Sequence, residues 1–100
     1  MIKIVRVTGS SLSPFFLPGD YVLLLSPSLF FVKLQTGDTV VFDHPEHGRL
    51  IKKVLSVDSI REEIVVRGHH PESTDSRHFG PVPVRWLSGK VIWHIALPRS

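Results

Sequence analysis

The sequence predicts an all-β domain of short, mostly antiparallel strands that form a coiled sheet or partial barrel. Its apolar, β-branched runs are short, and Gly, Pro, Asp and Ser separate them at fairly regular intervals. No stretch has a convincing helical period, and no internal repeat is present. The length of 100 residues fits a single domain over residues 1–100 with a modest core.

The predicted strands follow from these runs in chain order. The first run opens the sequence, and the next two begin directly after Gly-Asp pairs at residues 19–20 and 37–38. In each pair the glycine supplies the turn backbone and the aspartate accepts hydrogen bonds from nearby amides. Strands are predicted over residues 2–7, 21–25, 39–42, 50–57, 63–67 and 90–95, and mobile loops over residues 26–28 and 44–48.

The composition excludes several classes of function. Acidic and basic residues are interspersed, the net charge is only +3, and no basic stripe carries the aromatic residues typical of nucleic-acid binding. The absence of cysteine excludes a disulfide framework, a thiolate metal site and a cysteine nucleophile. The apolar runs fall far short of the roughly 20 residues of a membrane-spanning helix, and no signal peptide is evident. We therefore predict no transmembrane segment and a cytoplasmic location, with peripheral membrane contact as the alternative.

Three segments carry the residue types of serine hydrolysis. Residues 9–14, GSSLSP, place a serine in a tight turn, residues 51–54, IKKV, place lysines in a predicted strand, and residues 73–77, STDSR, follow. A serine hydroxyl is a weak nucleophile and needs a base within about 3 Å to take its proton. A lysine is such a base only when neutral, so its pKa must fall by roughly 3 units from about 10.4. Burial among apolar side chains is the available cause.

Strand alternation leaves two candidates for a sheltered lysine. The side chains two positions before and after Lys52 are apolar, and so are those two positions before and after Lys53. The pattern of residues therefore does not choose between these two amines.

In order, spacing and residue type, these segments resemble the conserved boxes of the signal peptidase I family of Ser/Lys endopeptidases. Further matches are PGD at residues 18–20, GDTVVF at 37–42, FGPVP at 79–83 and GKVI at 89–92, so the resemblance extends from about residue 7 to about residue 95. It implies a compact signal-peptidase-like catalytic core. The sequence departs from most members of that family, because we expect no N-terminal membrane anchor, and because only residues 53–68 separate the lysine strand from the last box, we expect no inserted second domain.

The resemblance implies a role for each residue of the proposed dyad. Ser11 corresponds to the nucleophile, and its backbone N–H to the first donor for the oxyanion. Gly9 occupies the oxyanion-hole position where some relatives carry a hydroxyl, so a backbone group or another residue would supply the second donor. Lys52 corresponds to the base, because Lys53 occupies the place of the family's arginine.

The last box implies supporting residues. Ser73 resembles the serine that hydrogen-bonds the lysine amine and fixes its direction. Asp75 and Arg77 resemble a salt bridge that holds the last loop against the active site, with both side chains on one face of an extended segment. The preceding loop, which contains His69 and His70, is one residue shorter than the family pattern.

Other arrangements of these residues remain open. Ser10 and Ser13 are local alternatives to Ser11. A triad of Ser11, His78 and Asp75 is a further alternative, because triads are defined by geometry and not by chain order.

A metal site is not expected. The histidine pairs at residues 44 and 47 and at residues 69 and 70 lie in separate predicted loops, whereas a metal site needs three or four convergent ligands. We predict solvated loop histidines, no metal and no cofactor.

An apolar turn close to the predicted nucleophile has two interpretations. Phe15, Phe16 and Leu17 either pack into the core or form an exposed lip that contacts a membrane or an apolar leader peptide.

Together these observations predict a serine endopeptidase that removes an N-terminal leader from a precursor protein. The short chain and the boxes at residues 73–83 most resemble the proteases that mature nickel-type superoxide dismutase. The first alternative is signal peptidase I-like cleavage of secretory leaders, and a self-cleaving SOS-repressor type ranks third. An alternative from another class of function is a non-catalytic β module that binds leader-like peptides.

Overall fold

A computed structural model describes residues 2–7, 17–26, 34–68 and 74–96, and the predicted all-β class is confirmed. The strands are β1 (Ile2–Arg6), β2 (Tyr21–Leu25), β3 (Thr39–His44), β4 (Gly48–Asp58), β5 (Glu63–Arg67), β6 (Val82–Pro83) and β7 (Leu87–Ile95). A four-residue helix, α1 (Ser76–Phe79), and a single 3-10 turn (Val84–Trp86) lie between β5 and β7.

The strands form one seven-stranded sheet in the order β1-β2-β7-β3-β4-β5-β6. Every pairing between neighbours in this order is antiparallel, and the sheet is not closed into a barrel. Strand β7 comes last in the chain but lies in the middle of the sheet, between β2 and β3. It therefore joins the β1–β2 pair to the β3–β4–β5 meander.

Apolar side chains cover both faces of the sheet at its centre. Successive residues of β3 belong to different clusters, because alternate side chains point to opposite faces. The larger cluster contains Leu34, Val40, Phe42, Val54, Ile64, Val66, Val82 and Leu87. The smaller cluster contains Val7, Val22, Leu24, Val41 and Ile51. The side chains of Thr39–Phe42 in β3 are therefore removed from water on both faces of the sheet.

The turns before β2 and β3 have the same construction, as the Gly-Asp pairs predict. The Asp20 carboxylate accepts a hydrogen bond from the Leu17 amide at 3.1 Å, and that of Asp38 from the Gln35 amide at 2.9 Å. The intervening glycines have φ angles of 95° and 94°, a backbone conformation that favours glycine.

Other boundaries differ from the sequence-based expectations. His44 and Gly48 are paired strand residues, so the predicted loop over residues 44–48 is wrong at both ends and the turn is confined to residues 45–47. The His44 ring packs 4.7 Å from that of Phe79 and 5.2 Å from that of Trp86, which attaches the β3–β4 hairpin to the α1 region. Residues 27 and 28 of the other predicted loop lie outside the described residues.

Within the described part of the chain, no helix is long and apolar enough to cross a membrane.

Candidate active site

Lys52 lies in the centre of the sheet with only 1% of its surface exposed. It occupies the middle of β4, opposite Val40 of β3. Val54, two positions further along β4, belongs to the larger apolar cluster, and Leu50, two positions before, packs against that cluster. A long cationic side chain is almost never buried to this extent unless it is paired, so the position calls for a chemical explanation.

The Lys52 amine donates no hydrogen bond to any residue in the described ranges. Burial lowers the pKa of this amine, and the nearby Arg77 lowers it further, whereas the Asp75 carboxylate acts in the opposite direction and raises it. The net shift is downward. The surroundings therefore favour the neutral amine, which is the form with a lone pair able to take a proton.

The adjacent Lys53 has a different environment. Its side chain is exposed, although strand alternation makes its neighbours apolar as well. The β4–β5 register shifts between Val54 and Ser56, and Leu55 at this irregularity is 47% exposed. The expectation that both faces of the strand shelter an amine is therefore wrong for Lys53.

Asp75 is fully buried and is bound closely by Arg77. The Arg77 Nε lies 3.0 Å from Asp75 Oδ1 and its Nη2 lies 2.9 Å from Oδ2. The amides of Gly68 and Arg77 also donate to this carboxylate, at 2.9 and 3.0 Å. Burial by itself would raise the pKa of Asp75, but these hydrogen bonds outweigh it and lower the pKa to about 2.

The Asp75–Arg77 pair forms across the start of a helix and not along an extended segment, which corrects the sequence-based expectation. Only Asp75 has extended backbone, with φ −150° and ψ −162°, and its side chain caps α1 by accepting from the Arg77 amide. Arg77 lies within α1 itself. The short helix thus brings the guanidinium back over the carboxylate two residues earlier.

The capped helix start lies beside Lys52. Lys53 pairs with Arg67, so the same register places Lys52 opposite Gly68, whose amide is bound to Asp75. The Ser76 hydroxyl accepts a hydrogen bond from the Val66 amide at 2.9 Å, which anchors the same segment on β5. The last loop is therefore fixed to the strand next to the buried amine.

Comparison with known proteins identifies the family. No protein-family model matches the chain. The chain is 30% identical over 123 residues to the mitochondrial ATP-independent inner membrane protease subunit 1a of Arabidopsis thaliana, over 99% of this chain and 73% of that relative. The chain belongs to this signal peptidase I-like family of inner membrane protease subunits. Subunit 1b of the same plant is 31% identical over 111 residues, which covers 87% of this chain and 66% of the relative.

These relatives support membership of a peptidase family and not the nickel superoxide dismutase maturation type. Their names also place them at the mitochondrial inner membrane, so the cytoplasmic location stays a prediction for this peptidase.

Several predicted site residues of the peptidase lie outside the described residues. They are Gly9, Ser11, Phe15, Phe16, His69, His70 and Ser73. Lys52, Asp75 and Arg77 are described, and the Asp75–Arg77 pair lies beside Lys52 where β5 ends. Leu17 is half-buried, and its amide is bound to Asp20. The pairing of Ser11 with Lys52 stays a prediction, as do the roles of Gly9 and Ser73.

The geometry disfavours the alternative Ser/His/Asp triad. His78 Nδ1 lies 4.0 Å from Asp75 Oδ1, beyond hydrogen-bond reach, and both Asp75 oxygens are already bound by Arg77. The described residues contain no group of three or more side chains arranged to hold a metal ion. His44 Nδ1 accepts from the amides of Glu46 and His47, so this nitrogen serves the hairpin turn.

The sequence analysis missed one contact of a predicted turn residue. Asp20 is 1% exposed, and its Oδ2 lies 2.8 Å from Nε2 of His94 on β7. Asp20 carries the turn signal of its Gly-Asp pair, but His94 follows it by 74 positions and lies in no recognised motif. Only the placement of β7 beside β2 brings the two side chains together.

Proposed function

We propose that this peptidase cleaves N-terminal leader peptides from precursor proteins with Ser11 as the nucleophile and Lys52 as the general base. The neutral Lys52 amine accepts the Ser11 hydroxyl proton while Oγ bonds to the scissile carbonyl carbon. The resulting ammonium returns that proton to the leaving amine as the C–N bond breaks. The amine then takes a proton from water, whose oxygen attacks the ester carbonyl carbon, and it returns that proton to Ser11 Oγ as the acyl C–Oγ bond breaks.

The observation that carries this proposal is the burial of Lys52. Its amine lies in the apolar centre of the sheet, its pKa is lowered, and it donates no hydrogen bond within the described residues. Burial disfavours the charged form of a lysine, so the lowered pKa increases the fraction of the Lys52 amine that is neutral and able to accept a proton. Acyl transfer by a serine nucleophile requires such a proton acceptor.

The rest of the site is proposed from the family boxes. The Ser11 backbone N–H would donate to the oxyanion, with a second donor near Gly9, and Ser73 would orient the Lys52 amine. Preorganised donors of this type contribute strongly, since loss of one typically costs 100-fold or more in rate. The Asp75–Arg77 pair would keep the Ser73 loop against β5, for which the Gly68 and Ser76 hydrogen bonds provide the anchor.

The substrate is proposed to bind as an extended strand with its leader at the site. A nickel superoxide dismutase precursor is the narrower proposal, from the boxes at residues 73–83. A secretory or organellar leader is the broader one, and the kinship with inner membrane protease subunits favours it. Peripheral membrane contact through Phe15, Phe16 and Leu17 fits either substrate.

Cleavage of both precursors tests the proposal. The protein is incubated with a leader-bearing nickel superoxide dismutase precursor and with a secretory precursor, and the new N-terminus is sequenced. Ser11→Ala and Lys52→Ala should abolish cleavage, whereas Lys53→Ala, the matched change at the exposed neighbour, should retain it. Cleavage by Ser11→Ala would remove the mechanism. Failure of the wild type on both precursors would favour the non-catalytic binding module.

A further inference from the structure

The segment that carries Ser11 begins and ends at one point of the fold. The Val7 amide donates to the Asp20 carbonyl at 2.7 Å, and the Gly19 amide donates to the Val7 carbonyl at 2.9 Å. The Leu17 amide donates to the Asp20 side chain at 3.1 Å. Val7 and Leu17, the described residues on either side of residues 8–16, are therefore both bound to Asp20.

His94 connects this point to the central strand. Its Nε2 lies 2.8 Å from the same Asp20 oxygen that accepts from Leu17, and the imidazole is only partly exposed. When Asp20 is ionised its carboxylate can only accept hydrogen bonds, and Nε2 is then the donor of this contact. The Asp20 carboxylate is almost fully buried, and its orientation is therefore set by the donors around it.

The turn before β3 provides an internal comparison. Its aspartate, Asp38, also contacts a side chain of β7, because Lys90 Nζ lies 3.3 Å from Asp38 Oδ2. That turn leads into β3, and its amides at Gly37 and Asp38 bond to Val54 and Gln35. Side chains of β7 thus contact the aspartates of both turns. Of the two turns, only the one that contains Asp20 is also bound to Val7, which precedes the segment that carries Ser11.

We propose that His94 is a positioning residue for the peptidase reaction: it holds the Asp20 side chain on the Leu17 amide, and Val7 binds the backbone carbonyl of the same aspartate, so that one residue anchors both flanks of the segment that carries the nucleophile. This inference rests on the proposed function, because it takes Ser11 as the attacking group. A nucleophile displaced by about 1 Å can cost 100-fold in rate without loss of substrate binding. His94 touches neither substrate nor the reacting atoms in this proposal and acts only through the carboxylate.

Steady-state cleavage of a leader peptide by matched variants tests the inference. His94→Ala should lower kcat by about 10- to 100-fold with KM within about 2-fold of wild type. His94→Gln, whose amide can donate to the same oxygen, should recover most of kcat. Lys90→Ala removes the equivalent contact at the other turn and should keep kcat near the wild-type value. Wild-type kcat in His94→Ala, or equal losses in His94→Ala and Lys90→Ala, would overturn the inference.

Amide hydrogen exchange separates this inference from the proposed function. In His94→Ala the amides of Val7, Leu17 and Gly19 should exchange about 10-fold faster, with the Val54 amide in the centre of the sheet unchanged. Unchanged exchange at the first three amides, or equal acceleration at Val54, would refute local positioning. Absence of cleavage by the wild type would refute the proposed function, and the exchange result would still decide whether His94 holds the segment.

Discussion

The Arg77 guanidinium binds both carboxylate oxygens of Asp75, with contacts of 3.0 and 2.9 Å. The carboxylate is fully buried, whereas the Arg77 side chain is 38% exposed. Both groups act on the charge of Lys52, in opposite directions. The pair therefore influences both the stability of the last loop and the protonation of the proposed base.

Acid should weaken the fold through Asp75. The pKa of this carboxyl is lowered from 3.8 to about 2 in the folded protein, so between these values the unfolded chain binds a proton that the folded chain does not. The stabilisation is present above about pH 4 and is lost as the pH falls towards 2. Water screens part of the interaction between Asp75 and the exposed Arg77 side chain. We therefore expect ionised Asp75 to contribute about 1 kcal/mol to the free energy of unfolding. Urea unfolding from pH 6 to 2 should show a shallower decline for Asp75→Asn than for wild type, and parallel curves would contradict this.

The acid limb of activity should move in opposite directions when the two partners are removed. Burial is the main cause of the lowered Lys52 pKa, Asp75 raises that pKa, and Arg77 lowers it. Asp75→Asn should therefore shift the rise of kcat/KM to lower pH, and Arg77→Gln should shift it to higher pH. The measurement is kcat/KM for a leader peptide from pH 5 to 9.

Removal of a distant surface charge controls for this shift. Arg61 is 77% exposed at the β4–β5 turn, so Arg61→Gln should leave the acid limb in place. A flat wild-type profile, or shifts of the same sign in Asp75→Asn and Arg77→Gln, would exclude Lys52 as the titrating base.

Replacing Lys52 by methionine should stabilise the protein while abolishing cleavage. The side chain is 1% exposed in an apolar cluster, and a thioether of similar length fills that space without a charge. We expect a gain of about 1 to 2 kcal/mol at neutral pH. Because the pKa of Lys52 is lower in the folded protein than in the unfolded chain, the wild type should become more stable as the pH rises towards 10. The difference in the free energy of unfolding between Lys52→Met and the wild type should therefore be smaller at pH 10 than at pH 7. Urea unfolding at pH 7 and pH 10 measures this difference, with Lys53→Met as the exposed control, and a destabilised Lys52→Met would contradict it.

Gly89 should not tolerate a side chain. A Cβ there would lie 2.7 Å from the Leu25 carbonyl oxygen and 2.9 Å from the Leu24 Cβ, so β2 and β7 would have to separate. Gly89→Ala should destabilise the fold by about 1 to 3 kcal/mol. The neighbouring Ser88→Ala removes only an exposed hydrogen bond to Asp43 and should cost less than about 0.5 kcal/mol. Equal urea midpoints for the two variants would show that the strands move apart without cost.

The parts of the fold that local chemistry determines were predictable from the sequence. Strands β2 and β5 have the predicted bounds, and the Gly-Asp turns have the predicted hydrogen bonds. Helix α1 was missed because four residues are too few to show a helical period. Its signal is the aspartate directly before it, since Asp75 acts as the N-cap.

The alternation of side chains along a strand could not show which of Lys52 and Lys53 is buried. Both lysines have apolar neighbours at two-residue spacing, but the register shift after Val54 exposes Leu55 beside Lys53. Such an irregularity depends on how β4 and β5 pair, and no single residue encodes it. The contact between Asp20 and His94 was hidden for a similar reason, because it depends on the central position of β7.

That central position determines when the protein can fold during its synthesis. Until the ribosome has made residues 87–95, the β1–β2 pair and the β3–β4–β5 meander have no strand to join them, and each presents an open edge. The nascent chain must therefore wait for its last strand, with apolar surfaces exposed to chaperones and to aggregation. The Asp20–His94 contact and the pairing of β3 with β7 both require β7, so a chain that ends before residue 87 should lack the native structure around Asp20 and along one edge of β3.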